Sequence, residues 1–303
     1  PWSIPHEFPL YQIIIASIAK YSPLPLQCIG RVLSFVALVA CLLPIRSITR
    51  SLRLPSVVFL IFIVLLFSSP IYLYWGRSLM IETTALLFSV CSIKYFIDQA
   101  QSKGKLPILF FCLFMSLAFL QKSTTAAPVF ISLCLDHCYI GIEKFYPQGP
   151  KALLYHLLRG AAILTIPFVI AVTWITYSHI IRFENSLGQQ VSLQPWFWGT
   201  IKQRLSHEMY YTVLWKRIFL QNLAGILGVI VLVAPFKLIK IPKAIHLLIA
   251  GAILLALLPI LMFANVHIIH TYYQTANLIF LIYAAAISLG CSIHYYPERA
   301  YFL

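Results

Sequence analysis

Apolar runs of roughly 20 residues recur along the chain with short polar connections between them, and this spacing constrains the fold more than any other feature. A helix rises about 1.5 Å per residue, so such a run matches a hydrocarbon layer about 30 Å thick. Hydrophobic residues make up 61% of the 303 and charged residues 10%, with a mean hydropathy of +0.88. A soluble domain would carry about a quarter charged residues. The chain therefore reads as an all-α, multi-pass integral membrane protein. A transmembrane β-barrel would show short alternating segments instead.

Hydropathy places nine spans, near 26–45, 56–75, 79–97, 106–121, 124–142, 158–178, 217–236, 244–264 and 271–291. The segment Leu10 to Tyr21 is too short to cross. With Gln12, Ser17 and Lys20 at helical spacing among isoleucines, it is expected to be an interfacial helix. The 179–216 connection is expected to be an external loop, with a surface helix from Trp198 to Lys216. The whole chain 1–303 reads as one domain. It begins at Pro1 with no preceding span and is expected to lack its natural N-terminus.

The net charge of +14 would suggest nucleic acid in a soluble protein. Here the basic residues punctuate apolar runs, so they are read as topology signals and contacts to anionic membrane lipids, with no nucleic-acid partner. Alternating the connections puts Arg46, Arg50, Arg53, Lys103, Lys105, Lys144, Lys151, Lys237, Lys240, Lys243 and Arg299 on one side, which the positive-inside rule makes cytoplasmic. Four of the eight acids, Glu7, Glu82, Glu184 and Glu208, then fall on the opposite side, in segments that combine carboxylates, imidazoles, cations and aromatic rings. The seven cysteines lie mostly inside apolar runs and read as small buried hydrophobes.

Four external constellations could carry chemistry. In Pro5-His6-Glu7-Phe8-Pro9-Leu10-Tyr11, Glu7 either serves as a functional carboxylate or complements the dipole of the following helix. In Gly76-Arg77-Ser78-Leu79-Met80-Ile81-Glu82, Ser78 is the expected N-cap and Glu82 lies about one turn inside the span, deep for a simple dipole partner. Arg77 is close enough in sequence to approach it. Lys122, in the turn Gln121-Lys122-Ser123-Thr124-Thr125, either pairs a phosphate or carboxylate or snorkels to the interface. In Asn265-Val266-His267-Ile268-Ile269-His270-Thr271-Tyr272-Tyr273-Gln274, the histidines and tyrosines form either a ligand-contacting element or an aromatic belt. His6, Glu7 and His267 are the candidate ligands of a divalent metal ion.

In this order the stretches HEFPLYQ, Gly30-Arg31-Val32-Leu33-Ser34, GRSLMIETTALLFS, the Lys122 turn and HTYYQ resemble the GT-C glycosyltransferases that use polyprenyl-phosphate sugars. These include the protein O-mannosyltransferases, the aminoarabinose transferase of lipid A and the RgtA/B/C/D-like bacterial enzymes. The resemblance spans most of the chain. It implies an inverting transfer from a polyprenyl-phosphate sugar donor to a protein, lipid or glycan acceptor on the non-cytoplasmic face. The membrane would be the plasma or inner membrane of a bacterium, or the endoplasmic reticulum of a eukaryote. Glu7 matches the position before the Pro-Leu-Tyr entry and Glu82 the acid of the second external loop, which makes both the catalytic candidates. Lys122 matches the basic position near the donor phosphate, and His270, Tyr272 and Tyr273 match the late-span element that contacts the donor. Arg77 joins that phosphate-binding set. The family's general base, in the first external loop, would precede Pro1. A secondary transporter or lipid flippase is the competing expectation, weakened by the lack of a fixed-period repeat and by ionisable residues that gather at helix ends.

Overall fold

The computed structural model describes residues 7–101, 104–184, 193–237 and 241–295, and among them the regular structure is entirely helical. Five helical stretches are long and apolar enough to cross a membrane: Leu26–Ser51, Ser123–Gln148, Pro150–Glu184, Lys243–Met262 and Thr271–Tyr295. A sixth arises if Ser56–Ser68 and Pro70–Arg77, bent by 63° at Ser69, count as one broken span. Pro70 cannot donate a backbone hydrogen bond, and Ser69 is extended at the break. The Asn222 side chain repairs it, its Oδ1 accepting from Ser69 Oγ at 2.6 Å and from the Ile71 amide at 3.1 Å.

The nine-span count meets charged, short or split elements in three places. The helix Glu82–Gln101 carries Glu82, Lys94 and Asp98, the last two paired at 2.7 Å. Leu106–Gln121 is an apolar helix of 16 residues, or about 24 Å, against a layer about 30 Å thick. The 217–236 run is split, because Ala224 and Gly225 adopt positive φ (56° and 63°) and separate the π-helical Glu208–Leu220 from the helix Ile226–Lys237.

The last helix, Thr271–Tyr295, is the axis of the bundle, with 83% of its most apolar window buried. It packs against Ser56–Ser68 and Lys243–Met262. The approach to Ser56–Ser68 is close: a Cβ on Gly290 would lie 2.9 Å from Val58 Cα and 3.0 Å from its amide nitrogen. Small residues at such crossings let backbones approach, and dispersion contacts then replace the missing hydrophobic drive between lipid-embedded helices. The amphipathic segment forms the helix Leu10–Ala19, as expected, and buries Tyr11 and Ile15 near Ile29.

The expected helix from Trp198 to Lys216 does not form as one element. Gly199 has φ +69°, Thr200 starts a new four-residue helix through a capping box with Gln203, and the π-helical stretch begins only at Glu208. The preceding helix also runs on to Glu184, beyond the expected loop start. The fragments are fastened to the break before the last helix. Arg204 donates to the Leu261 and Met262 carbonyls at 2.7 and 2.9 Å, and Gln203 Nε2 donates to Asn265 Oδ1 at 2.6 Å.

Gly290→Ala is expected to lower stability by about 1–3 kcal/mol, because backbone atoms cannot step aside for the new methyl. Gly251→Ala, which meets nothing within 4 Å, should leave the thermal midpoint of the purified protein unchanged. Equal midpoints for the two variants would contradict the close crossing.

Candidate functional site

Four chain breaks meet around Lys122. The residue is extended (φ −163°, ψ 100°) between the helices Leu106–Gln121 and Ser123–Ile140, and its amide still donates to the Ala118 carbonyl at 2.9 Å. The side chain is 5% exposed, so its charge needs a partner. That partner is Glu82, 3% exposed and the first residue of its helix, whose Oε1 accepts from Lys122 Nζ. The ammonium also lies over the ring of Tyr273, 4.3 Å from its centroid, and 5.4 Å from that of Tyr272. Such cation–ring contacts become stronger where water is excluded. Glu82 Oε2 is buried and, among the described residues, has no hydrogen-bond partner.

The late segment is shaped by its own break. His270 is extended between the short helix Ala264–Ile269 and the 3-10 turn Thr271–Gln274, which presents Tyr272 and Tyr273 stacked at 4.8 Å. His270 stacks on Tyr272 at 5.1 Å, and Trp75 meets the Tyr272 ring edge-on at 5.7 Å. The chain's entry is fixed as well: the Phe8 amide donates to the Leu120 carbonyl at 2.9 Å, and the Phe8 ring packs on Trp174 at 5.1 Å. Tyr11 Oη donates to the Gly30 carbonyl and lies 2.7 Å from Ser34 Oγ, which donates to the Met80 carbonyl. This ties the amphipathic helix to the segment before Glu82.

A cleft of about 590 Å³ opens between these elements. Glu82, Lys122 and Tyr272 line it together with apolar residues that include Ile15, Leu26, Leu79 and Ile81. It combines one ion pair with a largely hydrocarbon wall.

The local charges act on one another. Burial raises the Glu7 carboxyl above its usual pKa; Lys122 opposes that shift, Glu82 reinforces it, and Arg182 opposes it weakly. Burial alone would lower the Lys122 pKa, but Glu82, followed by Tyr273 and Glu7, reverses the sign and holds the ammonium protonated. His267 is pushed down to about 3 by burial and then by Lys122 and Arg217, so it is neutral at physiological pH. His270 is lowered by burial and by Lys122, so it offers a hydrogen bond rather than a charge.

The structure thus brings Glu82, Lys122, His270, Tyr272 and Tyr273 together, with Glu7 coupled to them electrostatically. Arg77 does not join them: it is exposed and, among the described residues, forms no ion pair. The reason is local. Ser78 caps no helix but bonds back to the Tyr74 carbonyl at 3.0 Å, and the helix starts later, at Glu82. Of the expected metal ligands, His6 lies outside the described residues, and no group of three or more His, Cys, Asp or Glu that could hold an ion occurs among the described residues. Two contributors escaped the sequence analysis as site residues. Arg182 reaches Glu7 electrostatically, and Arg217 donates to the His267 and Ile268 carbonyls, both at 2.9 Å. Neither sits in a recognisable motif.

No family model matches the chain, and no curated protein or solved structure matches it.

Lys122→Met would leave a buried carboxylate without its cation and is expected to remove about 3–5 kcal/mol of stability. The double variant Lys122→Met/Glu82→Gln should recover most of that loss. Glu82→Gln alone should fall between the two, since Lys122 keeps the tyrosine faces and the Glu7 charge. Unfolding midpoints of the purified variants test this, and a double variant no more stable than Lys122→Met would contradict the pairing.

Proposed function

We propose that the protein is a membrane glycosyltransferase that moves a sugar from a polyprenyl-phosphate donor to a hydroxyl acceptor. One observation carries this reading: a buried lysine and a carboxylate with a free oxygen line a cleft whose remaining wall is largely apolar. A lipid-linked phosphosugar has matching parts. Its isoprenoid chain suits the hydrocarbon wall, its phosphate suits Lys122, and its sugar ring suits the stacked faces of Tyr272 and Tyr273.

In this mechanism the acceptor hydroxyl attacks the anomeric carbon from the face opposite the phosphate. Its proton passes to a carboxylate, for which Glu82, a residue of the cleft wall, is the candidate, with Glu7 as the second acid of the cluster. The new carbon–oxygen bond forms as the bond from the anomeric carbon to the phosphate oxygen breaks, and the electron pair leaves on the phosphate. Lys122 offsets the charge that develops there, and the neutral His270 adds a hydrogen bond. The anomeric configuration inverts, and polyprenyl phosphate is released.

The reading includes nine membrane crossings, with the charge-bearing Glu82–Gln101 and the shorter Leu106–Gln121 and Ile226–Lys237 among them. It places the cleft on the non-cytoplasmic face, in keeping with the lysine and arginine bias of the opposite connections.

Membranes carrying the full-length protein, incubated with a radiolabelled polyprenyl-phosphate sugar, should transfer label to a protein, lipid or glycan and release the lipid phosphate. Lys122→Gln is expected to reduce transfer by about a hundredfold or more while the protein is still made. Donor bound or moved across the bilayer without release of lipid phosphate would overturn the reading in favour of a transporter. Transfer at the normal rate by Lys122→Gln would remove the lysine from the mechanism.

A further inference from the structure

The resting cluster contains a conflict that points to how the site is switched. Lys122 supplies the ammonium that a donor phosphate needs, yet that ammonium is committed to Glu82 and covered by two aromatic faces. Glu82 supplies a carboxylate that an acceptor hydroxyl needs, yet one of its oxygens is held by the same lysine. A phosphodiester entering the cleft therefore meets a carboxylate and a lysine already in use. In a site this dry each unpaired charge is expensive, so the anion can bind only by taking the ammonium from a carboxylate. Both partners of the ion pair line the cleft, so an anionic headgroup bound there would lie beside them.

Building on the glycosyltransferase reading, we infer that Lys122 exchanges partners in each cycle: its ammonium leaves Glu82 for the donor phosphodiester, and the freed carboxylate takes the acceptor's proton. The ion pair is a latch. It keeps one carboxylate oxygen occupied by the ammonium until donor is present. It also gives the lysine a partner when the site is empty of lipid. The covalent step is unchanged: the proton lost by the acceptor resides on Glu82 when the phosphate leaves with the electron pair, and it passes to solvent before the pair re-forms.

The exchange makes Glu82 a competitor of the donor, which gives it a signature that a purely structural or purely catalytic acid would lack. The probe is a geranyl methyl phosphodiester, which carries one fixed negative charge, so its own titration does not interfere. Binding is measured on the purified full-length protein. Glu82→Gln is expected to bind this probe about tenfold more tightly than the unaltered protein, because the competing carboxylate is gone. The same variant should lose sugar transfer by about a hundredfold, so that KM and kcat fall together. Lys122→Gln should lose probe binding. Equal or weaker binding by Glu82→Gln overturns the exchange while leaving the donor reading intact. Failure of the unaltered protein to bind the probe overturns the donor reading itself, and the exchange with it. Difference infrared spectra of the unaltered protein supply a readout that does not depend on the variant's folding: addition of probe should shift a carboxylate band, and an unchanged carboxylate region overturns the exchange.

Discussion

The pair formed by Lys122 and Glu82 is the interaction on which the rest of this structure depends. A lysine 5% exposed and a glutamate 3% exposed, 40 residues apart, are tolerable in an apolar bundle only because each neutralises the other. The pairing fixes the first turn of the helix Glu82–Gln101 against the turn that joins Leu106–Gln121 to Ser123–Ile140. The tyrosine faces of the last helix's entry then close over the same ammonium. Three segments distant in sequence are thus registered by one cation.

That arrangement explains why the apolar and polar parts of the cleft adjoin. The helix Leu10–Ala19 contributes its apolar side, while its Tyr11 hydroxyl reaches across to the Gly30 carbonyl and the Ser34 hydroxyl. Ser34 in turn holds the Met80 carbonyl, two residues before Glu82. One chain of hydrogen bonds therefore connects the greasy wall to the ion pair, so displacing either would disturb the other.

Much of the fold was legible in hydropathy, because long apolar runs have few alternatives to helices in a membrane. The boundaries were less so, since the breaks at Gly199 and at Ala224-Gly225 depend on positive φ values that a hydropathy window does not register. The site was legible in part. Glu82 and Lys122 stood out because isolated charges at the ends of apolar runs demand a reason, and His270-Thr271-Tyr272-Tyr273 stood out by composition. Their pairing was not legible, because it joins helices across the bundle. Arg77 was assigned to phosphate through its nearness in sequence to Glu82, but the 3-10 turn Trp75–Arg77 leaves it exposed. Arg182 and Arg217 were overlooked because their hydrogen bonds go to backbone carbonyls, which sequence does not reveal.

Those carbonyls bear on how the site can move. Each break near the cleft frees backbone groups that helices would otherwise satisfy, and irregular backbone at membrane depth survives only where something else bonds it. Arg204 takes the Leu261 and Met262 carbonyls, Arg217 takes those of His267 and Ile268, and Gln274 Nε2 adds a second bond to His267 at 2.9 Å. The Phe8 amide takes Leu120, and Ser34 takes Met80. With the backbone clamped on every side of Lys122, a large rearrangement of the frame would break several charge-assisted bonds at once. The Lys122 side chain is held instead by Glu82 and the two tyrosine faces, so the proposed exchange of partners would need only that side chain to turn, with the helices held still.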